Sequence, residues 1–267
     1  MFVDRPSLAR IVRHIVAIVE QTPVKSDPFP HAFFEGIFPQ DLYHSALTAW
    51  PAEEAFAAAS RRHHVNEYGD STRRRLNLVE KSLADLPHGP RRIWTTLRAA
   101  VGSPEVKRAV FEKLGSGLAR RFGTSPADAA ALPAFPRGTL YCEKQGYRIA
   151  PHPDTREKIV TMQFAFPSDD RMKHVGTEFY SRSVNPLHWL REPRGFLIRE
   201  AMPFLPNCAY AFSVLNTIGL KSWHGRCKID AIDGDRNSLL HIWYATPDDS
   251  HSELEGYLAP APLCRAA

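Results

Sequence analysis

The sequence predicts an α+β fold with a mainly β core. A mostly helical part, residues 1–134, precedes a β sandwich or jelly roll at 135–246 and a tail at 247–267, all in one domain. Three observations predict this. Apolar residues recur at helical spacing in the first part of the chain. From Phe135 onward the pattern changes to short apolar runs broken by Gly, Pro, Asn and Asp, which marks strands and turns. The 22 prolines favour loops and strand ends over long helices.

In order, Ser7 to Gln21 reads as an amphipathic helix with Ile11, Ile15, Ile18 and Val19 at helical spacing and Ser7 as its N-cap. Residues 27–34 are extended, because their prolines disfavour helix. A second helix starts near Pro39 and runs to Trp50, and Ala52 to Ser60 is a further helical candidate. Arg61-Arg62-His63-His64 and Arg73-Arg74-Arg75 flank a polar loop and read as solvated surface or as the rim of an acidic substrate site. Helices follow at Pro90 to Val101 and Pro104 to Phe122, the latter with Ser103 as N-cap and Gly123 as its end. An Ala- and Pro-rich linker at 124–134 crosses to the β part. Candidate strands are 138–144, 146–151, 158–166, 176–180, 196–200, 208–214, 221–228 and 237–245. Between them, 181–195 lacks periodicity and suits a surface loop or a lid.

The bounds on function are broad. Net charge is +5, which serves solubility or attracts an anionic ligand. Cys142, Cys208, Cys227 and Cys264 have no C-x-x-C spacing, which argues against a zinc knuckle or thioredoxin-type site and fits reduced thiols in the cytoplasm. No signal peptide is read in 8–19, and no uncharged run reaches the roughly 18 residues that span a bilayer. Aromatic interleaving of the basic clusters is limited to Tyr68, so nucleic acid is a disfavoured partner.

The chemistry concentrates in Tyr147-Arg148-Ile149-Ala150-Pro151-His152-Pro153-Asp154. Side chains at i and i+2 of an extended segment share a face, so His152 and Asp154 aim at one point. A distal His224 stands in Ser222-Trp223-His224-Gly225. Two His and one carboxylate are the donor set of a non-haem Fe(II) centre with open positions. Taken singly, each His also fits a turn or core position. Arg236-Asn237-Ser238 then opens another strand-like run. Arg236 offers a planar fork for a carboxylate, and Ser238 shares its face.

This order of His-x-Asp, distal His and Arg-x-Ser resembles the Fe(II)/2-oxoglutarate-dependent oxygenases, in particular the prolyl-hydroxylase-like branch. The resemblance covers 136–246 well and 27–50 weakly. It implies a double-stranded β-helix, a cupin-like jelly roll, buttressed by the N-terminal helices. It implies a dioxygenase with Fe(II), 2-oxoglutarate as cosubstrate and O2, hydroxylating a C–H bond and releasing succinate and CO2. His152, Asp154 and His224 are the implied metal ligands. Arg236 is the implied clamp on the C5 carboxylate, with Ser238, Tyr141 and Gln163 beside it. Asp154 argues against a halogenase, which has a small residue there. Ile242 stands where the nucleic-acid-demethylating branch has a second arginine. The substrate is expected to be a small polar metabolite, sugar or amino-acid-like unit. Arg148, Tyr180, Arg191 and Arg194 are substrate candidates, and the recurrence of arginine near the cavity mouth points to an acidic one. A protein or nucleic-acid oxygenase of the same family, or a non-catalytic jelly-roll module, are the alternatives. His241 and Trp243 point away from this face, which makes His241 a sheet-surface residue. Oligomeric state is not readable.

Overall fold

Eight strands in two facing sheets build the core, and each falls on one of the eight runs read from the sequence. They are β4 (Phe135–Glu143), β5 (Ile149–His152), β6 (Lys158–Ala165), β7 (Thr177–Arg182), β8 (Phe196–Met202), β9 (Cys208–Ser213), β12 (Trp223–Arg226) and β13 (Arg236–Tyr244). The structure is a computed structural model that describes residues 5–59, 71–230 and 234–250. The Arg61-Arg62-His63-His64 cluster, Tyr68 and Cys264 lie outside the described residues.

The larger sheet has the order β1-β9-β6-β13-β4-β3-β2, where β1 is His31–Glu35, β2 is Ala57–Ala58 and β3 is Arg73–Asn77. The smaller sheet has the order β5-β12-β7-β8. The eight core strands are divided between the sheets as β4, β6, β9 and β13 against β5, β7, β8 and β12, which is the double-stranded β-helix. A short ribbon of β10 (Asn216–Thr217) and β11 (Leu220–Lys221) precedes β12.

Period-2 alternation sorts the large sheet into two faces. One packs Val160, Met162, Phe164, Ala209, Ala211, Leu239 and Trp243 against the helical layer. The helices are α1 (Arg5–Gln21), α2 (Gln40–Thr48), α3 (Glu80–Ala84), α4 (His88–Val101), α5 (Pro104–Lys113) and α6 (Gly115–Phe122), with a short α7 (Pro247–Ser250) after β13. Ile11, Ile15 and Val19 of α1 and Trp94, Leu97 and Val101 of α4 are fully buried there. The other face of the sheet, with Thr161, Gln163, Tyr210 and Ser238, lines the interior between the sheets.

Several expectations are corrected. α1 begins at Arg5, with Pro6 in its first turn where a missing N–H costs nothing, so Ser7 lies inside the helix and does not cap it. The stretch 52–60 is not helical where described: a 3₁₀ turn at Glu53–Ala55 leads into β2, whose pairing with β3 overrides the alanine helix propensity. Arg73-Arg74-Arg75 forms strand β3 beside β4 in the large sheet, and Arg73 turns to the buried Glu143 rather than to solvent. The helix expected over 104–122 is two, broken at Leu114. Its caps hold: Ser103 Oγ accepts from Val106 N at 3.3 Å, and Gly123 closes α6 at φ 66°. His241 is buried under the helical layer rather than on an open surface, with its ring 4.4 Å from that of Trp243. Residues 183–195 form the connection between β7 and β8, with Val184, Leu187 and Leu190 exposed. No helix among the described residues is long and apolar enough to cross a membrane.

Candidate metal centre

His152 ends β5 and His224 lies on β12, and the two are register partners across the antiparallel pair. Their rings are 4.4 Å apart, and Asp154 follows just beyond β5. One ligand atom from each of His152, Asp154 and His224 lies within 4.8 Å of the others. Gly225 permits this approach. A Cβ there would stand 2.6 Å from the Ile149 carbonyl oxygen and drive β5 off β12.

Both imidazoles are oriented by backbone. His152 Nδ1 is 3.0 Å from the Ala150 carbonyl and His224 Nδ1 is 3.0 Å from the Ser222 carbonyl. A carbonyl only accepts, so each Nδ1 carries the proton and each Nε2 keeps a bare lone pair. Burial holds both rings neutral, with His224 lowered to about 4. Burial alone would raise the Asp154 carboxyl. The Lys158 ammonium outweighs it, helped by His224 and by hydrogen bonds from Lys158 and Thr161, and keeps the carboxylate ionised. Lys158 Nζ is 2.5 Å from Asp154 Oδ1, and Thr161 Oγ1 donates to Oδ2 at 2.7 Å. Arg121 of α6 donates to the carbonyls of Arg156, Lys158 and Val214, which ties the loop after Asp154 to the helical layer. Two neutral nitrogen donors and one carboxylate on one side of a point suit a divalent transition metal such as Fe(II).

A polar track runs from this centre along the inner face of the large sheet. Thr161 leads to Gln163, whose Nε2 donates to Ser238 Oγ at 3.0 Å. The Tyr210 hydroxyl is 2.6 Å from Gln163 Oε1 and 2.8 Å from Thr177 Oγ1. Tyr141 is the register partner of Ser238 and lies under the Arg73 guanidinium, 3.7 Å from its ring centroid. At the end of the track Arg236 is fully buried over Phe204. Its Nε donates to the Val175 carbonyl at 2.9 Å and its Nη1 to Glu143 Oε2 at 2.7 Å. Burial first, then the neighbouring Arg226, lower Arg236 to about 10, still charged at neutral pH.

The structure thus brings together His152, Asp154, His224, Arg236, Ser238, Tyr141 and Gln163. It does not bring in the four substrate candidates. Arg148 is exposed, as are Arg191 and Arg194, the last paired with Glu192 at 3.2 Å. Tyr180 pairs with Trp223 on the outer face of the small sheet, where its hydroxyl bonds Glu178, while Phe179 faces inward beside Phe212. Lys158, Glu143, Arg226, Thr177 and Tyr210 were not anticipated. Arg226 had a signal, since it follows His224 by two positions on one strand.

No family model matches the chain, and neither does any curated protein. Solved structures do match. A Fe(II)/2-oxoglutarate oxygenase fold is what the strand order and the His-x-Asp, His arrangement define, and the chain has that fold. A prolyl-4-hydroxylase from Pseudomonas putida is similar with a TM-score of 0.50 and 14% identity, over 86% of this chain and 98% of that one. JOX2, in complex with 2OG, Fe and JA, is similar with a TM-score of 0.50 and 14% identity, over 81% of this chain and 68% of that one.

Proposed function

We propose that this protein is an Fe(II)- and 2-oxoglutarate-dependent dioxygenase that hydroxylates a C–H bond of a small polar substrate and releases succinate and CO2. One observation carries the reading: a half-buried and a buried imidazole, each tautomer set by a backbone carbonyl, converge with an ionised carboxylate beside a polar track that ends on a buried arginine. Bound Fe(II) with 2-oxoglutarate supplies oxygen activation coupled to loss of CO2. The chain does the rest. His152 and His224 present Nε2, and Asp154 supplies the negative charge. Arg236 draws the far carboxylate of the cosubstrate to the end of the track, where Ser238, Gln163 and Tyr141 offer hydrogen bonds. Phe212, its ring 4.8 Å from that of His224, keeps water from that side of the centre. Four scattered cysteines in a chain of 267 residues fit reduced thiols in a cytoplasmic setting.

Anaerobic titration of the protein with Fe(II) and then 2-oxoglutarate tests this. A weak visible metal-to-ligand charge-transfer band is expected. His152→Ala, Asp154→Ala and His224→Ala should each lose the band and 2-oxoglutarate turnover. A wild-type protein that binds both without a band would overturn the reading.

A further inference from the structure

Glu143 lies at the centre of three arginines. It is fully buried and held ionised at about 2: burial would raise it, and Arg226, Arg236 and Arg73 outweigh burial. Arg226 Nη1 and Arg236 Nη1 both bond its Oε2, and Arg73 Nε stands 3.1 Å from its Oε1. Three guanidinium groups against one carboxylate leave two positive charges without a carboxylate partner among the described residues. Uncompensated charge inside a protein is costly and calls for an anionic partner.

The two arginines other than Arg236 are not saturated by hydrogen bonds among the described residues. The Arg226 side chain is 5% exposed and its Nε has no hydrogen-bond partner among the described residues. Arg73 Nε faces Glu143 Oε1 without hydrogen-bond alignment, so both atoms are also unpaired. Both guanidinium groups lie over the Tyr147 ring, at 5.1 Å and 5.6 Å from its centroid. They also lie close to the metal centre. Arg226 is on the strand of His224 and shares its inward face, and the charge of Arg73 reaches His152. Arg73 sits on the ring of Tyr141, the residue opposite Ser238.

Resting on the oxygenase reading, the charge count separates two anions. The C5 carboxylate of 2-oxoglutarate at Arg236 neutralises one of the two surplus charges. One remains, on the pair Arg73 and Arg226. We propose that Arg73 and Arg226 form a carboxylate-binding subsite for the primary substrate, distinct from the cosubstrate clamp at Arg236. Paired planar forks at an enclosed wall match a carboxylate. Glu143 anchors all three guanidinium groups. The substrate class is therefore a small carboxylic acid, its oxidised carbon held between this pair and the metal centre.

The test uses the full-length protein loaded with Mn(II) and saturated with 2-oxoglutarate, titrated with acetate at constant ionic strength and, as neutral control, with acetamide. Calorimetry should show saturable acetate binding and none for acetamide. Arg73→Met and Arg226→Met should each weaken acetate by about tenfold or more, the loss of a charge-assisted hydrogen bond, and weaken 2-oxoglutarate far less. Arg236→Gln should do the reverse. Absence of saturable acetate binding to the loaded wild type overturns the subsite, whether or not the variants fold. Acetate binding that survives both methionine variants overturns it as well. Equal losses for acetate and 2-oxoglutarate would make the pair part of the cosubstrate clamp and also refute it. If Mn(II) and 2-oxoglutarate themselves fail to bind, it is the oxygenase reading that falls.

Discussion

Lys158→Met separates the two cations that compete for Asp154. In the metal-free protein Lys158 is the counterion of a buried carboxylate, with Nζ 2.5 Å from Oδ1 and Asp154 only 5% exposed. Breaking a buried pair from one side costs about 3–5 kcal/mol, because the remaining charge is stranded. Here Thr161 still donates to Oδ2 and the lysine side chain is 20% exposed, so the bottom of that range applies, about 3 kcal/mol. A divalent metal replaces the missing charge. It also no longer faces an ammonium group across the carboxylate. Stability lost without metal should thus return with it, and linkage requires metal affinity to rise by the difference, about a hundredfold. Urea unfolding with and without Mn(II), and Mn(II) affinity by calorimetry, measure the two sides of this cycle. An equal stability loss in both forms, with Mn(II) affinity unchanged, would refute the idea that Lys158 and the metal share Asp154.

Two further outcomes follow from the packing around the site. Gly225→Ala places a Cβ 2.6 Å from the Ile149 carbonyl oxygen, so β5 must move off β12; a stability loss of about 1–3 kcal/mol is expected, with weaker Mn(II) binding because His152 and His224 part. Unchanged Mn(II) affinity would mean that the strand spacing does not set the ligand geometry. His241 is held neutral by burial, at about 3, and its Nε2 has no partner among the described residues. Its folded value lies below its unfolded one, so the unfolded chain takes up the proton first. Stability is fully present above about pH 6.5 and falls as pH drops toward about 3. His241→Leu should remove about 2–3 kcal/mol of the loss between about pH 6.5 and 4.5, read by urea unfolding at both values. Identical pH slopes in the two proteins would show that this imidazole is not the group responsible.

The β core was legible because its signals are local. Turn residues punctuate short apolar runs, and all eight runs became strands. The candidate metal cluster was legible for the same reason: His152 and Asp154 need only an extended backbone to converge, and Ser238 needs only its parity with Arg236. What remained hidden depends on which strands become neighbours. Arg73-Arg74-Arg75 reads as solvated surface, since nothing in a run of arginines says that β3 will extend the large sheet. Once β3 pairs with β4, Arg73 stands opposite Glu143 and turns inward, while Glu143 itself is opposite Arg236. Tyr180 was misplaced because β7 carries aromatic residues on both parities. Only the packing of Phe179 against Phe29 and Phe212 selects the inward one. Lys158 has no local mark at all. The sequence by itself determined the strands and the ligand types, because periodicity and spacing act within a few residues. Tertiary structure alone decided the buried charge cluster and the meeting of Asp154 with His224. These arise from register between strands far apart in the chain, where desolvation rather than propensity selects which charges must meet.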